Sequence, residues 1–408
     1  MARKMKDSGI EWIGEIPEGW ETQKLKYYAT VTSGEILSRD EYDFSGDIPV
    51  IGSNGKIGTT YKSNNHSEVI TTGRVGTIGT AQIVQDAWIT DNALIIKSHS
   101  INRPFLTYVI PNFDFKFMLS GTAQPLITAT KLKNQYIPVP SSEVQDKLVQ
   151  YLNTQIFNLS HLISQACSSI ELYKKLKQVV ITQAVTKGVR GEREMKDSGV
   201  EWIGEIPKEW VIQKIKSISS RINVGVVIRP SEYFDENGTV PFLRGINVKE
   251  YLISSDNMVY INESSNHILS KSQVHTDDIL IVRDGSIGTS CVVPAEYDGA
   301  NVVSMVIVTP STSCDSRFIC YSLNSDVGKT QFTLTKIGSA LTHTSVSAVS
   351  DIIVAVPSCA EQKEIADYLD AKCAEIDGLI AKKEQLVKEL ESYKKSLIYE
   401  VVTGKREV

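Results

Sequence analysis

The strongest constraint on this chain is that it contains part of itself twice. Residues 5–20, MKDSGIEWIGEIPEGW, return at 195–210 as MKDSGVEWIGEIPKEW, identical at thirteen of sixteen positions at an offset of 190. Further along, Val139-Pro140, Tyr151-Leu152 and Val185-Thr186 match Val356-Pro357, Tyr368-Leu369 and Val402-Thr403 at an offset of 217. Between these flanks, Gly76-Thr77-Ile78-Gly79 matches Gly285-Ser286-Ile287-Gly288, and Asn92 matches Asn301, at an offset of 209. All divergence therefore falls in two middle segments, roughly 21–140 and 211–357, with the added residues mainly before Gly285. A period near 200 residues is longer than any solenoid repeat, so the repeating unit is a whole domain with its connector. The chain is expected to be a fused pseudo-dimer: unlike heads on like supports.

With 408 residues, 41% hydrophobic and 22% charged, it has the makeup of a soluble protein of two to three domains. Its longest apolar runs, such as 302–308, fall far short of the roughly 20 residues that cross a bilayer, and the charged start lacks a signal-peptide core, so a cytoplasmic address with no membrane partner is expected. The six cysteines, Cys167, Cys291, Cys314, Cys320, Cys359 and Cys373, contain no Cys-x-x-Cys pair. Neither a zinc site nor a disulfide framework is predicted, and the thiols read as small apolar packing groups. The net charge of −5 is the wrong sign for a protein that grips a duplex unaided. Either nucleic acid is not a ligand, or a partner supplies much of the phosphate contact.

The repeated box mixes Trp12 and Trp20 with Ile13, Ile16 and Pro17, and its proline and glycines disfavour a long helix. It reads as an extended segment that packs its aromatics on a neighbour. In the first middle segment, strands are predicted at 48–51, 68–72, 79–84 and 87–97, with helical stretches at 104–110 and 114–119. In the second, strands are predicted at 240–243, 278–283, 289–293 and 301–309, with a helix at 316–324. From 143 to about 186 the apolar positions Leu152, Ile156, Leu159, Ile163, Ala166, Ile170, Tyr173 and Val180 keep the four-and-three spacing of a coiled-coil seam; Leu369, Cys373, Ile376, Ile380, Val387, Leu390 and Leu397 keep it from 361 to about 402, with Lys383 in the place of Ala166. Lys177 and Lys394 interrupt the seams, and Pro140 and Pro357 mark where each helix can begin. A helix of about 43 residues is about 60 Å long, and the repeat implies that the two run antiparallel about a pseudo-twofold axis. The expected fold is mixed α/β: two strand-rich heads separated by a long antiparallel two-helix coiled coil, divided as 1–20 repeat box, 21–141 first head, 142–192 first long helix, 193–210 second box, 211–358 second head and 359–408 second long helix.

Catalytic signals fail. Val327-Gly328-Lys329-Thr330 resembles the tail of a phosphate loop, but position 323 is leucine where the loop needs glycine, so the stretch reads as a turn between helices. Asp351 with Glu361-Gln362-Lys363 could mimic nuclease carboxylates, but the first copy carries Val144-Gln145-Asp146 there, and helix capping is the expected role. There is no adjacent proline pair for an amino-methyltransferase loop and no Rossmann glycine fingerprint after a strand. The Gly-x-Ile-Gly turns say more, because each follows an arginine, Arg74 or Arg283; a shared cation beside a tight turn suits a phosphate. Residues that differ between heads suit base reading: Ser53, Asn54, Lys56, Lys62 and His99 in the first, and Arg229, Arg244, Asn247 and Lys249 in the second, where Arg and Asn can pair bidentately with base edges.

Two variable heads, each preceded by a Trp-Ile-Gly-x-Ile-Pro-x-x-Trp box and followed by a long helix ending in Val-Thr, make a chain that resembles the specificity subunits of type I restriction–modification systems along its whole length. Residues 361–370 (EQKEIADYLD), 376–380 (IDGLI) and 400–405 (EVVTGK) resemble that family's repeated regions; the first copy departs, lacking a glutamate before Gln145 and carrying Val185-Thr186-Lys187-Gly188 in place of Val-Thr-Gly-Lys. The resemblance implies a non-enzymatic reader of double-stranded DNA, each head a target recognition domain for one half of a split site, with two methyltransferase subunits and restriction subunits as partners. It implies no cofactor on this chain, while the partners use S-adenosylmethionine, ATP and Mg. A rod of ~60 Å is under two turns of DNA at about 34–36 Å each, so both heads could reach one face. The competing expectation is a coiled-coil scaffold whose heads bind protein.

Overall fold

The computed structural model describes residues 3–43, 45–119, 126–337 and 343–408. The chain separates into two units, one formed by residues 1–167 with 384–408 and the other by 168–383, so both long helices are divided between them.

In the first unit the repeat box is a hairpin, β1 (Met5–Asp7) with β2 (Glu15–Pro17), paired Met5 to Pro17. Its turn is held by Asp7 Oδ1, which accepts from the Gly9 N–H at 2.9 Å. Trp20 is buried in the main core of the unit, and Trp12 packs edge-on against Phe113 at 5.3 Å. There follow β3 (Glu21–Lys24), β4 (Ala29–Ser33), β5 (Ile48–Gly52), β6 (Gly55–Thr60), β7 (Val69–Gly73), β8 (Gln82–Val84), β9 (Trp88–Ile89), β10 (Ala93–Ser98), α1 (Arg103–Val109), α2 (Ala129–Lys133), β11 (Tyr136–Val139) and α3 (Ser142–Lys187). They make sheets ordered β4-β10-β7-β8, β6-β5-β9 and β11-β3.

The second unit repeats this plan with β12 (Met195–Asp197) and β13 (Glu205–Pro207) as its hairpin, then β14 (Val211–Lys214), β15 (Ser219–Val224), β16 (Val240–Leu243), β17 (Val248–Lys249), β18 (Leu252–Ile253), β19 (Val259–Ile261) and α4 (Glu263–Ile268). It continues through β20 (Ile279–Val282), β21 (Ser290–Val292), β22 (Asn301–Val302), β23 (Met305–Pro310), α5 (Ser316–Asn324), α6 (Asp326–Ile337), α7 (Val346–Ser350), β24 (Ile353–Val356) and α8 (Cys359–Val402). Its sheets, β15-β23-β20-β21, β19-β16-β22 and β14-β24, reproduce the first set. The inserted β17, β18 and α4 lie before Gly285 and go with a further apolar cluster around Leu243, Val248, Leu280 and Ile307.

Several expectations change. The predicted strands at 87–97 and 301–309 each break in two. The first half pairs in parallel with one sheet (Val50 with Trp88; Phe242 with Asn301), whereas the second half joins the antiparallel sheet, so the chain must turn between them. This register sets Asn301 opposite the strand that Trp88 faces in the first unit, not in the place of Asn92; a local insertion had shifted the alignment. Residues 327–330 lie inside α6 rather than in a turn, because the break comes at Ser325, the C-cap of α5. Asp351 ends α7 instead of starting a helix, and accepts from Lys214 and Lys216 at 2.9 Å each. Glu361 does sit in the first turn of α8, where it is buried, pairs with Arg193 at 2.7 Å and accepts from Trp210 Nε1 at 3.2 Å. Trp202, the second box's counterpart of Trp12, is exposed rather than packed, and Cys167 is exposed while Cys291, Cys320 and Cys373 are buried.

Each head is bolted to its following helix at two equivalent points. In the first unit Gln145, near the start of α3, accepts from the Asn102 N–H at 2.8 Å and donates to the Pro140 carbonyl at 2.8 Å, and Tyr108 Oη bonds Asn153 at 2.6 Å. In the second, Gln362 accepts from the Asp315 N–H at 2.9 Å and donates to the Pro357 carbonyl at 3.0 Å, and Tyr321 Oη bonds Asp370 at 2.7 Å. Asn102 and Asp315 are the N-caps of α1 and α5, so the bolt also fixes where each head helix begins. Polar contacts interrupt the apolar seams within each unit: Lys394 to Ser160 at 3.0 Å in the first, Lys177 to Asp377 at 2.6 Å in the second.

Candidate nucleic-acid interface

In both units the loop that carries the arginine, Arg74 or Arg283, lies against the turn that follows β5 or β16. In the first, the Ser53-Asn54 hairpin turn between β5 and β6 lies against the Arg74–Gly79 loop, just after which Thr80 Oγ1 donates to the Ser53 carbonyl at 3.1 Å. A Cβ on Gly73 would sit 2.6 Å from that carbonyl. Arg74 Nη1 approaches Ser33 Oγ at 3.5 Å and the Asp91 carbonyl at 3.4 Å, while its Nε is enclosed without a partner. In the second unit Gly245 packs on Val282 at the root of the Arg283–Gly288 loop, and Arg283 Nε donates to the Thr344 carbonyl at 3.0 Å. The backbone of each arginine is held alike: Ile127 N–H donates to the Arg74 carbonyl at 2.9 Å and Thr344 N–H to the Arg283 carbonyl at 3.2 Å.

The turns need their last glycine. Gly79 has φ +85° and Gly288 φ +89°, and an aromatic ring, Phe115 or Phe332, would lie 2.5 Å from an added Cβ in either case. Neither side-chain volume nor a standard backbone would fit, so the loop shape is fixed in both copies.

The base-reading candidates separate under this geometry. Ser53, Asn54 and Lys56 share the hairpin beside the Arg74 loop, with Asn54 and Lys56 exposed. Lys62 is at the other end of that hairpin, ion-paired with Glu41. Hydrogen bonds from Lys62 and Ser38 hold the Glu41 carboxyl down at about 2. His99 lies elsewhere again, its Nε2 3.4 Å from the Tyr27 carbonyl. In the second unit Arg244 reaches the Asn257 carbonyl, Lys249 is exposed, and Arg229 is exposed and paired with Glu232 at 3.2 Å. Asn247 does not present its amide: it is fully buried, and its Nδ2 donates to the Ser254 and Asp256 carbonyls at 3.1 and 2.9 Å. Its pattern in the sequence was that of a reader, but its role is to close the turn that carries Lys249.

Sequence reasoning missed the Gln145 and Gln362 bolts, although their recurrence at an offset of 217 was there to be read, and it missed the two most exposed large apolar residues among those described, Ile36 and Ile228. Among the described residues no group of three or more His, Cys, Asp or Glu is arranged to hold a metal ion, and no helix is long and apolar enough to cross a membrane.

Two copies of one mixed α/β head, each feeding a long helix and each ending in a cluster of loops with a cation at its root, define a duplicated recognition protein. Residues 17–171 and 207–389 match the type I restriction modification DNA specificity domain, and the chain belongs to that family. It is 26% identical over 428 residues to a putative type I restriction enzyme MjaX specificity subunit of Methanocaldococcus jannaschii, covering 96% of this chain and 95% of that one. The same fold occurs in a solved chain described under complex assembly and conformational transition of the type I R-M system, at a TM-score of 0.71 and 14% identity over 96% of this chain and 99% of that one. It occurs also in the HsdS subunit of Thermoanaerobacter tengcongensis, at a TM-score of 0.50 and 16% identity over 96% and 98%.

Proposed function

We propose that this chain is the sequence-specific DNA-binding specificity subunit of a type I restriction–modification complex, without catalytic chemistry of its own, and that each head reads one half of a bipartite asymmetric site. The observation that carries this reading is that one topology and one loop cluster occur twice while the residues within the cluster differ. Parts common to both heads, Arg74 and Arg283 above all, suit phosphates, which look alike everywhere along a duplex. Parts that differ suit base edges: Ser53, Asn54 and Lys56 in one head, Arg229, Arg244 and Lys249 in the other, with Lys62 and His99 as flanking contacts. The net charge of −5 fits a reader whose duplex is enclosed by other subunits. Those partners are two methyltransferase subunits, which use S-adenosylmethionine, and restriction subunits, which use ATP and Mg, in the cytoplasm.

The long helices are assigned the job of a ruler. We take them as an antiparallel coiled coil with internal pseudo-twofold symmetry, on the strength of the repeated seams and of the one polar contact that joins the two helices within each unit. A helix of 46 residues is about 70 Å long, close to two turns of DNA at about 34–36 Å each.

The test is an exchange. Residues 21–140 are replaced by the corresponding segment of a relative, the chain is produced with its methyltransferase partners, and methylated genomic DNA is sequenced. One half of the methylated site should change and the other stay; a change in both halves refutes one head per half. A heptad inserted into 143–186 should alter only the spacer, and an unchanged spacer removes the ruler.

A further inference from the structure

The loop that follows β4 in the first unit and β15 in the second is built alike and ends in the same kind of side chain. It begins at a glycine pressed on the turn between the two sheets: an added Cβ would lie 2.3 Å from the Thr90 carbonyl at Gly34 and 2.4 Å from the Val302 carbonyl at Gly225. Backbone hydrogen bonds fix the root, Gly34 to Ala93 at 3.1 Å and Glu35 to Ile89 at 3.0 Å, Gly225 to Met305 at 2.9 Å and Val226 to Val302 at 2.8 Å. Two or three residues beyond the glycine an isoleucine stands in solvent, Ile36 at 75% and Ile228 at 80% exposure, the highest values for large apolar residues among those described. Single exposed apolar side chains are ordinary on a protein surface. Two on the corresponding loop of two heads that share almost no sequence there are not.

Both tips stand beside the loop cluster. Ser33, next to Gly34, is the residue Arg74 approaches, and Val226, next to Gly225, accepts from the Ser304 N–H at 3.0 Å while Ser304 Oγ bonds Asp284, the neighbour of Arg283. The backbone after Ile228 is also strained: Arg229 has φ +45° and ψ 52°, a left-handed conformation that a side chain other than glycine adopts at a cost. Strain of this kind collects where a structure holds a side chain out for a purpose.

Resting on the DNA-reading assignment above, we propose that Ile36 and Ile228 are apolar wedges, each pressed against a base step of the half-site that its head reads. A rigidly rooted loop with an aliphatic tip beside a cation has the two parts such a contact needs. The cation holds the phosphate backbone, and the tip takes its place against stacked bases, partly unstacking them and burying its apolar surface. The unlike flanks, Glu35 and Leu37 in one head, Val227 and Arg229 in the other, leave room for the two steps to differ.

The experiment uses the complex with its methyltransferase subunits and a duplex carrying the methylated site, with 2-aminopurine placed in turn at each position of both halves. Wild-type complex should raise the fluorescence of one or two positions in each half. Ile228→Ser should abolish the rise in one half only and weaken binding about tenfold, the apolar burial of one large side chain; Ile36→Ser should do the same in the other half. Ile228→Met, which restores apolar length, should recover both signals, separating the contact from a folding defect. The wedge is overturned if Ile228→Ser binds and fluoresces like wild type, or if it loses the methyltransferase subunits while any DNA signal stays, which would make the tip a protein contact. If wild-type complex fails to distinguish the site from a scrambled duplex, the DNA-reading assignment falls first, and the wedge with it.

Discussion

Replacing Gln362 by alanine tests the idea that a buried amide is one of the two bolts that fix each head to its helix. The side chain is 1% exposed; its Oε1 accepts from the Asp315 N–H at 2.9 Å and its Nε2 donates to the Pro357 carbonyl at 3.0 Å. Truncation removes two hydrogen bonds, each of net value about 1 kcal/mol, and leaves an N–H and a carbonyl without partners in a place that water reaches poorly. The loss should come to roughly 2–4 kcal/mol. For a unit covering residues 168–383, this corresponds to a fall in melting temperature of roughly 4–16 °C, followed by the fluorescence of the buried Trp210. Gln385→Ala, which removes only an exposed contact with Glu389 on the same helix, should cost less than about 0.5 kcal/mol. Gln362→Glu places a carboxylate against the Pro357 carbonyl in a buried site and should cost at least as much as the alanine. Gln145→Ala, 4% exposed with the same two bonds at 2.8 Å each, should give a matching loss in the other unit, and the two losses should add. A Gln362→Ala melt as mild as that of Gln385→Ala would refute the reasoning, because the buried bonds would then carry no more than a solvated one.

Other outcomes follow from the same geometry. Gly288→Ala and Gly79→Ala combine a left-handed backbone with a ring at 2.5 Å, and each should destabilise its unit by about 2–5 kcal/mol in denaturant titration. Arg74→Ala and Arg283→Ala, made separately in the complex, should weaken binding to all duplexes alike and each lower the slope of log affinity against log salt by about 1; a change confined to one base position would instead make that arginine a base reader. The Glu41 carboxyl should titrate near 2 by NMR, below its ordinary 4.5, and Lys62→Ala should move it back up. Because the folded value is depressed, the stabilisation that Glu41 provides is complete above 4.5 and fades as pH falls toward 2; a stability that instead drops on raising the pH through this range would contradict the ion pair.

Much of this protein was written in the order of its residues. The duplication at offsets of 190, 209 and 217 gives two heads and two long helices without reference to any coordinate, because identical boxes can only be accommodated by like structures. The seven-residue seams and the prolines at 140 and 357 place α3 and α8 within a few residues of their observed limits, since helix periodicity and proline geometry are local. The helix at 316–324 was legible for the same reason: its N-cap Asp315 and its apolar face lie within one stretch of chain. Which side chains face solvent was not. Asn247 looked like a base reader and is buried under Ser254 and Asp256, and Lys62 looked free and is held by Glu41, twenty-one residues away. The breaks in the strands after Ile89 and Val302 came from pairing with two different sheets, and the prominence of Ile36 and Ile228 from loops rooted on strands more than fifty residues distant in sequence. Periodicity records what a residue does with its near neighbours; burial, pairing and the meeting of loops depend on partners far along the chain, and only the folded structure brings those together.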